Sequence, residues 1–91
     1  MVYRKIDLNH NEIVKALRAV GATVLSLATI GSGCPDILVG FRGDNFLMEI
    51  KSERGKLNQA QVDWHTHWRG SKVRVVRSIE EALIEIGCIR G

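Results

Sequence analysis

Glu49 and Lys51 stand two apart in Phe46-Leu47-Met48-Glu49-Ile50-Lys51, and in a strand residues two apart share a face. A second carboxylate, Asp36, lies upstream after Gly33-Cys34-Pro35 and opens the strand-like run Ile37-Leu38-Val39. Between the two runs, Arg42-Gly43-Asp44-Asn45 is a strong turn signal, so the segment predicts an antiparallel hairpin. The loop decides whether Asp36 joins the other two. A two-residue loop at Arg42-Gly43 sets Asp36 opposite Glu49, and one at Gly43-Asp44 sets it opposite Lys51; either puts all three on one face. A three-residue loop from Arg42 to Asp44 would turn Asp36 to the other face.

Opposed carboxylates about 5 Å apart at Cβ repel each other at neutral pH, which asks for a cation between them. Magnesium suits this place, since it is held by one or two carboxylates together with phosphate oxygens and water. Lys51 adds a positive charge where a phosphate under attack by water gathers negative charge. The chemistry these residues suggest is metal-assisted hydrolysis of a phosphodiester. A lone Glu-x-Lys is commonplace on a solvated strand. The Gly-Cys-Pro-Asp approach, the hairpin and Glu-Ile-Lys on the return strand together set this one apart.

The elements that must position these groups are readable from periodicity. Asn9 precedes Ile13, Leu17 and Val20 at helical spacing, with Gly21 as a stop. Ala22 to Ile30 is rich in β-branched residues and leucine between Gly21 and Gly31, which predicts a strand. After the polar loop Ser52 to Lys56, the stripe Leu57, Gln61, Trp64, Trp68 predicts a second helix ending at Gly70. Val73, Val75 and Val76 predict a fourth strand. Ser78-Ile79-Glu80-Glu81 has the form of a capping box opening a last helix through Leu83 and Ile86 to Gly87. The order is αβββαβα, and the fold class is α/β with a central mixed sheet flanked by helices.

At 91 residues the chain reads as one domain, residues 1–91, with a thin core, so self-association is expected. Net charge is +3, a modest excess that fits a phosphate-bearing partner. The cations cluster at Lys51, Arg54 and Lys56 and again at Lys72, Arg74 and Arg77. No apolar run approaches a membrane span, and no signal-peptide core follows Met1-Val2-Tyr3-Arg4-Lys5, so a cytoplasmic protein is expected. Cys34 and Cys88 are too few for a disulfide framework, and reduced thiols are the default. His65 and His67 point to different sides of a helix, so they read as solvated or capping histidines rather than a zinc pair. Trp64 and Trp68 read as core or interface residues, with core expected for at least one.

GCPDILVG followed by FLMEIK resembles the signature of the PD-(D/E)XK nucleases, specifically their VRR-NUC (virus-type replication-repair nuclease) branch, and the similarity spans nearly the whole chain. The resemblance implies an αβββαβ core in which Asp36, Glu49 and the Ile50 carbonyl hold Mg2+ or Mn2+, with Lys51 beside them. It adds an early-helix glutamate, matched by Glu12, and a glutamine in the helix after the Lys strand, matched by Gln61. Glu12 has a competing reading, since Asn9-His10-Asn11-Glu12 could be a capping box; for function, it shares a helix face with the small residues Ala16 and Ala19. Gln61 could hydrogen-bond the carboxylates or the scissile phosphate, because an amide on a packing stripe needs partners at both ends.

Short phage-type members resemble Holliday-junction resolvases and are dimeric, which implies a homodimeric endonuclease acting on branched DNA in a bacterial or phage-infected cell. Arg54, Lys56, Lys72 and Arg74 are then the expected contacts to the DNA arms. Flaps, nicks or ordinary duplex are alternative substrates for the same fold. A DNA-binding module without chemistry is the alternative from another class.

Overall fold

The computed structural model describes residues 8–91, and the Met1-Val2-Tyr3-Arg4-Lys5 stretch weighed above lies outside them. The elements run α1 (His10–Ala19), β1 (Thr23–Ser26), β2 (Ile37–Phe41), β3 (Asp44–Ile50), α2 (Gln59–His67), β4 (Arg74–Val76) and α3 (Ile79–Glu85). This is the αβββαβα order that periodicity predicts.

One sheet of order β1-β2-β3-β4 forms. β1 to β3 pair antiparallel, and β4 adds parallel to β3 because α2 carries the chain back across the sheet. The hairpin closes through Arg42 and Gly43, both at positive φ (49° and 85°), the backbone of a type I′ turn. A non-glycine in that conformation needs support, and the Arg42 guanidinium lies over the Phe41 ring at 4.7 Å.

Alternation along the strands divides the sheet into two unlike faces. Ile37, Val39 and Phe41 of β2, Met48 and Ile50 of β3 and Val76 of β4 pack on one side against Ile13 and Leu17 of α1 and Ala82 of α3, with Ile86 just beyond it. Each fully buried aliphatic side chain here contributes about 1.5–3 kcal/mol. Leu38, Leu47 and Glu49 face the other way, toward α2, which has no buried residue of its own. α2 is therefore held by particular contacts rather than by an apolar stripe, and neither Trp64 nor Trp68 belongs to the core. The two indoles stack on each other instead, 4.7 Å apart at 14°.

β1 is shorter than the apolar run from Ala22 to Ile30. Leu27 N–H still donates to the Asp36 carbonyl at 2.8 Å, and the chain then turns away, with Ala28 N–H donating to Ser26 Oγ and Ile30 N–H to the Leu27 carbonyl. Val20, expected on the α1 packing stripe, is the cap residue of that helix and half-exposed. No described helix is long and apolar enough to cross a membrane.

Candidate active site

The β2–β3 register runs from Phe41↔Asp44 at the turn to Ile37↔Met48, so the loop is the two residues Arg42 and Gly43. Of the three loops that the sequence leaves open, this is the one that brings Asp36 toward Glu49. The ladder is offset at its last step. Asp36 N–H donates to the Met48 carbonyl at 3.0 Å although Met48 is the partner of Ile37, a bulge-like shift that re-aims the Asp36 side chain. Asp36 Oδ2 then accepts the Ile50 N–H at 2.7 Å, a charge-assisted bond that fixes the carboxylate to the backbone between Glu49 and Lys51.

Glu49 is 1 % exposed. A carboxylate so buried is stable only if other groups replace its water. Lys51 Nζ lies 4.0 Å from Glu49 Oε2, as expected of residues two apart on one face at the end of β3. Gln61 Nε2 donates to the same oxygen at 3.3 Å, and its own Oε1 accepts the Asn58 N–H at 3.0 Å to close a capping box at the start of α2. Both ends of the amide are thus engaged, which explains a glutamine at this place on the helix.

His65, one turn further along α2, puts Nε2 3.5 Å from Glu49 Oε1. It is neither solvated nor capping, which corrects the expectation from sequence; its side chain is 14 % exposed and faces the carboxylate. Burial, and then the Lys51 charge, lower its pKa below the ordinary histidine value, against a smaller raising effect of Asp36. His67 points away, and its Nδ1 lies 2.7 Å from the Asp63 carbonyl within the helix. Spacing four residues after Gln61 was the signal that could have found His65.

α2 reaches the sheet because of Gly33, which has a positive φ of 84°. A Cβ at that position would collide with the Ala60 carbonyl. The Gly-Cys-Pro-Asp approach therefore delivers Asp36 and also makes room for the helix that carries Gln61 and His65.

Two residues that sequence reasoning left out of the site hold the chain just after Lys51. Asn9 Nδ2 donates to the Lys51 carbonyl at 3.0 Å and to the Arg77 carbonyl at 2.9 Å. Arg77 Nη1 donates to the carbonyls of Ser52 (2.8 Å) and Gly55 (2.6 Å). These links span dozens of residues, and no local pattern announces them. With its side chain so used, Asn9 makes no cap bond to α1, and the capping box weighed against a role for Glu12 is not built. Glu12 is exposed in the first turn of α1, at the end of the helix that Asn9 ties to Lys51.

Arg54 and Lys56 are exposed on the loop that Arg77 pins, and Lys72 is exposed just before β4. Arg74 stands apart from these three. It pairs with Met48 in the register, which puts it on the sheet face opposite Glu49, where Nη1 bonds Glu85 Oε2 at 2.7 Å and the guanidinium lies 6.0 Å from the Phe46 ring centre. Glu85 thus offsets its charge on the α3 side of the sheet, with both side chains about one-third exposed.

On the Glu49 face, away from the carboxylates, a cavity of about 430 Å³ is lined by Leu27, Ile30, Cys34, Leu38 and Leu47 and by Trp64 and Trp68. Its rim is apolar and open, with Ile30 61 % and Trp68 46 % exposed.

The donor chemistry fits a hard divalent cation. Asp36 and Glu49 come from adjacent strands, and the backbone of Ile50 lies against Asp36. Among the described residues no three His, Cys, Asp or Glu side chains are gathered into a preformed cage. Magnesium needs no such cage, because water and phosphate oxygens complete its shell.

No family model and no curated protein matches the sequence. Among solved structures, one described as "VRR_NUC domain" superposes with a TM-score of 0.63 at 33 % identity, over 82 % of this chain and 92 % of that one.

Proposed function

The chain belongs to the VRR-NUC family and is a nuclease domain of the PD-(D/E)XK type, and from that premise we propose that it is a Mg2+- or Mn2+-dependent DNA endonuclease that works as a homodimer on four-way junctions. The observation that carries the hydrolytic reading is the buried Glu49 carboxylate with Lys51, Gln61 and His65 around it and Asp36 on the adjoining strand. Asp36, Glu49 and the Ile50 carbonyl would hold the cation, which would supply Lewis-acid polarisation of the phosphoryl group. The Lys51 ammonium orients the attacking water and stabilises the negative charge gathering on phosphorus. Gln61 keeps the Glu49 carboxylate in one orientation. Water adds to phosphorus as the bond to the 3′ oxygen breaks, leaving a 5′-phosphate and a 3′-hydroxyl.

Arg54, Lys56 and Lys72 contact DNA phosphates, with the first two on a loop already ordered by Arg77. Glu12 acts from the α1 end that Asn9 joins to the Lys51 strand. Dimerisation is supported by the apolar side chains that so small a sheet leaves open, Leu25, Ile30 and Trp68 among them. Junction resolution asks for two sites related by a two-fold axis, which a homodimer supplies.

Cleavage of a four-way junction, a flap and a linear duplex with Mg2+ or Mn2+, paired with light scattering, tests this. A dimer that cuts the junction fastest is expected. A monomer that prefers flaps would refute junction resolution while leaving the nuclease assignment in place.

A further inference from the structure

His65 and Gln61 approach Glu49 from the same face of α2, and each addresses a different carboxylate oxygen. Gln61 makes a hydrogen bond. His65 Nε2, buried 3.5 Å from Glu49 Oε1, makes none among the described residues. The separation exceeds the roughly 2.7–3.2 Å of an N–H···O hydrogen bond. It lies close to the spacing of two adjacent donors on one octahedral cation, since bonds of about 2.2 Å meeting at about 90–100° place their donor atoms about 3.1–3.4 Å apart. In the tautomer protonated at Nδ1, the imidazole presents its Nε2 lone pair to that point.

We propose that His65 Nε2 is a nitrogen ligand of the cation held by Glu49, making this a mixed oxygen and nitrogen centre that selects Mn2+ over Mg2+. The proposal rests on the metal-dependent reading above and adds a donor to it. Imidazole nitrogen is a good ligand for first-row transition ions, whereas Mg2+ keeps to oxygen and retains its water. A nitrogen donor therefore strengthens Mn2+ binding far more than Mg2+ binding. The position on α2 suits a ligand: Gly33 brings the helix close, the Gln61 capping box fixes its start, and no residue of α2 is needed in the core.

Mn2+ bound to the full chain reports its ligands directly through spin-echo modulation from coupled 14N. Wild-type protein is expected to show histidine 14N modulation that His65→Gln abolishes and His67→Gln retains. Mn2+ affinity should fall about 10- to 100-fold in His65→Gln, with Mg2+ affinity changing much less. Mn2+ that binds wild type and is lost in Glu49→Gln, yet shows no 14N modulation, would overturn the role of His65 and leave the metal-dependent nuclease standing. Modulation that persists in His65→Gln overturns it equally. A wild-type protein that binds no Mn2+ overturns both. The wild-type spectrum decides the question even where a variant folds poorly.

Discussion

Gly33 lies against Ala60 so closely that a side-chain carbon at position 33 would run into the Ala60 carbonyl. The approach lets α2 sit over Glu49, so Gly33→Ala should lift Gln61 and His65 off the carboxylate. Gly31 gives the control: it too has positive φ, at 70°, but a Cβ there meets nothing within 4 Å. Both substitutions should lower stability through backbone strain, by about 1 kcal/mol or more. Only Gly33→Ala should also reduce cleavage, by roughly tenfold or more, as expected when the groups supporting a ligand are displaced. Equal activity in the two variants at equal stability would refute the positioning role of this contact.

Gln61 serves the helix with its oxygen and Glu49 with its nitrogen. Glutamate in its place keeps a capping-box acceptor but removes the amide donor and sets a negative charge against Glu49. Gln61→Glu should therefore retain helix content by circular dichroism while cleavage falls about 10- to 100-fold. Unchanged cleavage would show that Gln61 acts only as a cap.

His65 gives metal-free stability a defined pH dependence. Above about pH 6.5 it is neutral in the folded and the unfolded chain. Its folded pKa is lowered by burial and by Lys51, so on acidification the unfolded chain takes up a proton that the folded one refuses. Stability from this group is complete above the unfolded value and falls as pH drops toward the lower folded value. Denaturant unfolding from about pH 8 to about pH 5 should show a shallower loss for His65→Gln than for wild type. Parallel curves would contradict this.

Lys51 offers a compact charge 4.0 Å from Glu49 Oε2 in a site closed on the α2 side. Arginine keeps the charge but is planar, larger and differently hydrated. Lys51→Arg should retain DNA binding and lose most cleavage, measured as single-turnover rate beside a filter-binding curve. Full activity would mean that a positive charge alone suffices.

The fold and the acidic centre were legible because they follow from short periods. The αβββαβα order and the sharing of a face by Glu49 and Lys51 depend only on residue spacing, and the GCPD and MEIK segments carry the family resemblance. Loop parity was legible as a choice among three, and the Arg42–Gly43 turn resolves it. The illegible parts depend on contacts between distant segments. Asn9 reads as a helix cap until its amide is found on Lys51 and Arg77, and the face that Arg74 occupies is fixed only by the β3–β4 register. Trp64 and Trp68 read as core or interface residues with core expected for at least one, yet α2 lies over the Glu49 face and the two indoles stack on each other. The divergence of His65 from His67 around the helix argues against a paired site and carries no information about what lies opposite His65.

The most direct measurement is metal-dependent DNA cleavage by Asp36→Asn. Asparagine can still accept the Ile50 N–H that Asp36 Oδ2 accepts at 2.7 Å, so the fold should survive. The substitution removes one negative ligand, and loss of several kcal/mol of Lewis-acid stabilisation corresponds to about 10³-fold or more in rate. The account predicts that Asp36→Asn binds DNA nearly as wild type does and cuts it at background rate with either Mg2+ or Mn2+. Cleavage at the wild-type rate in the presence of metal would contradict it.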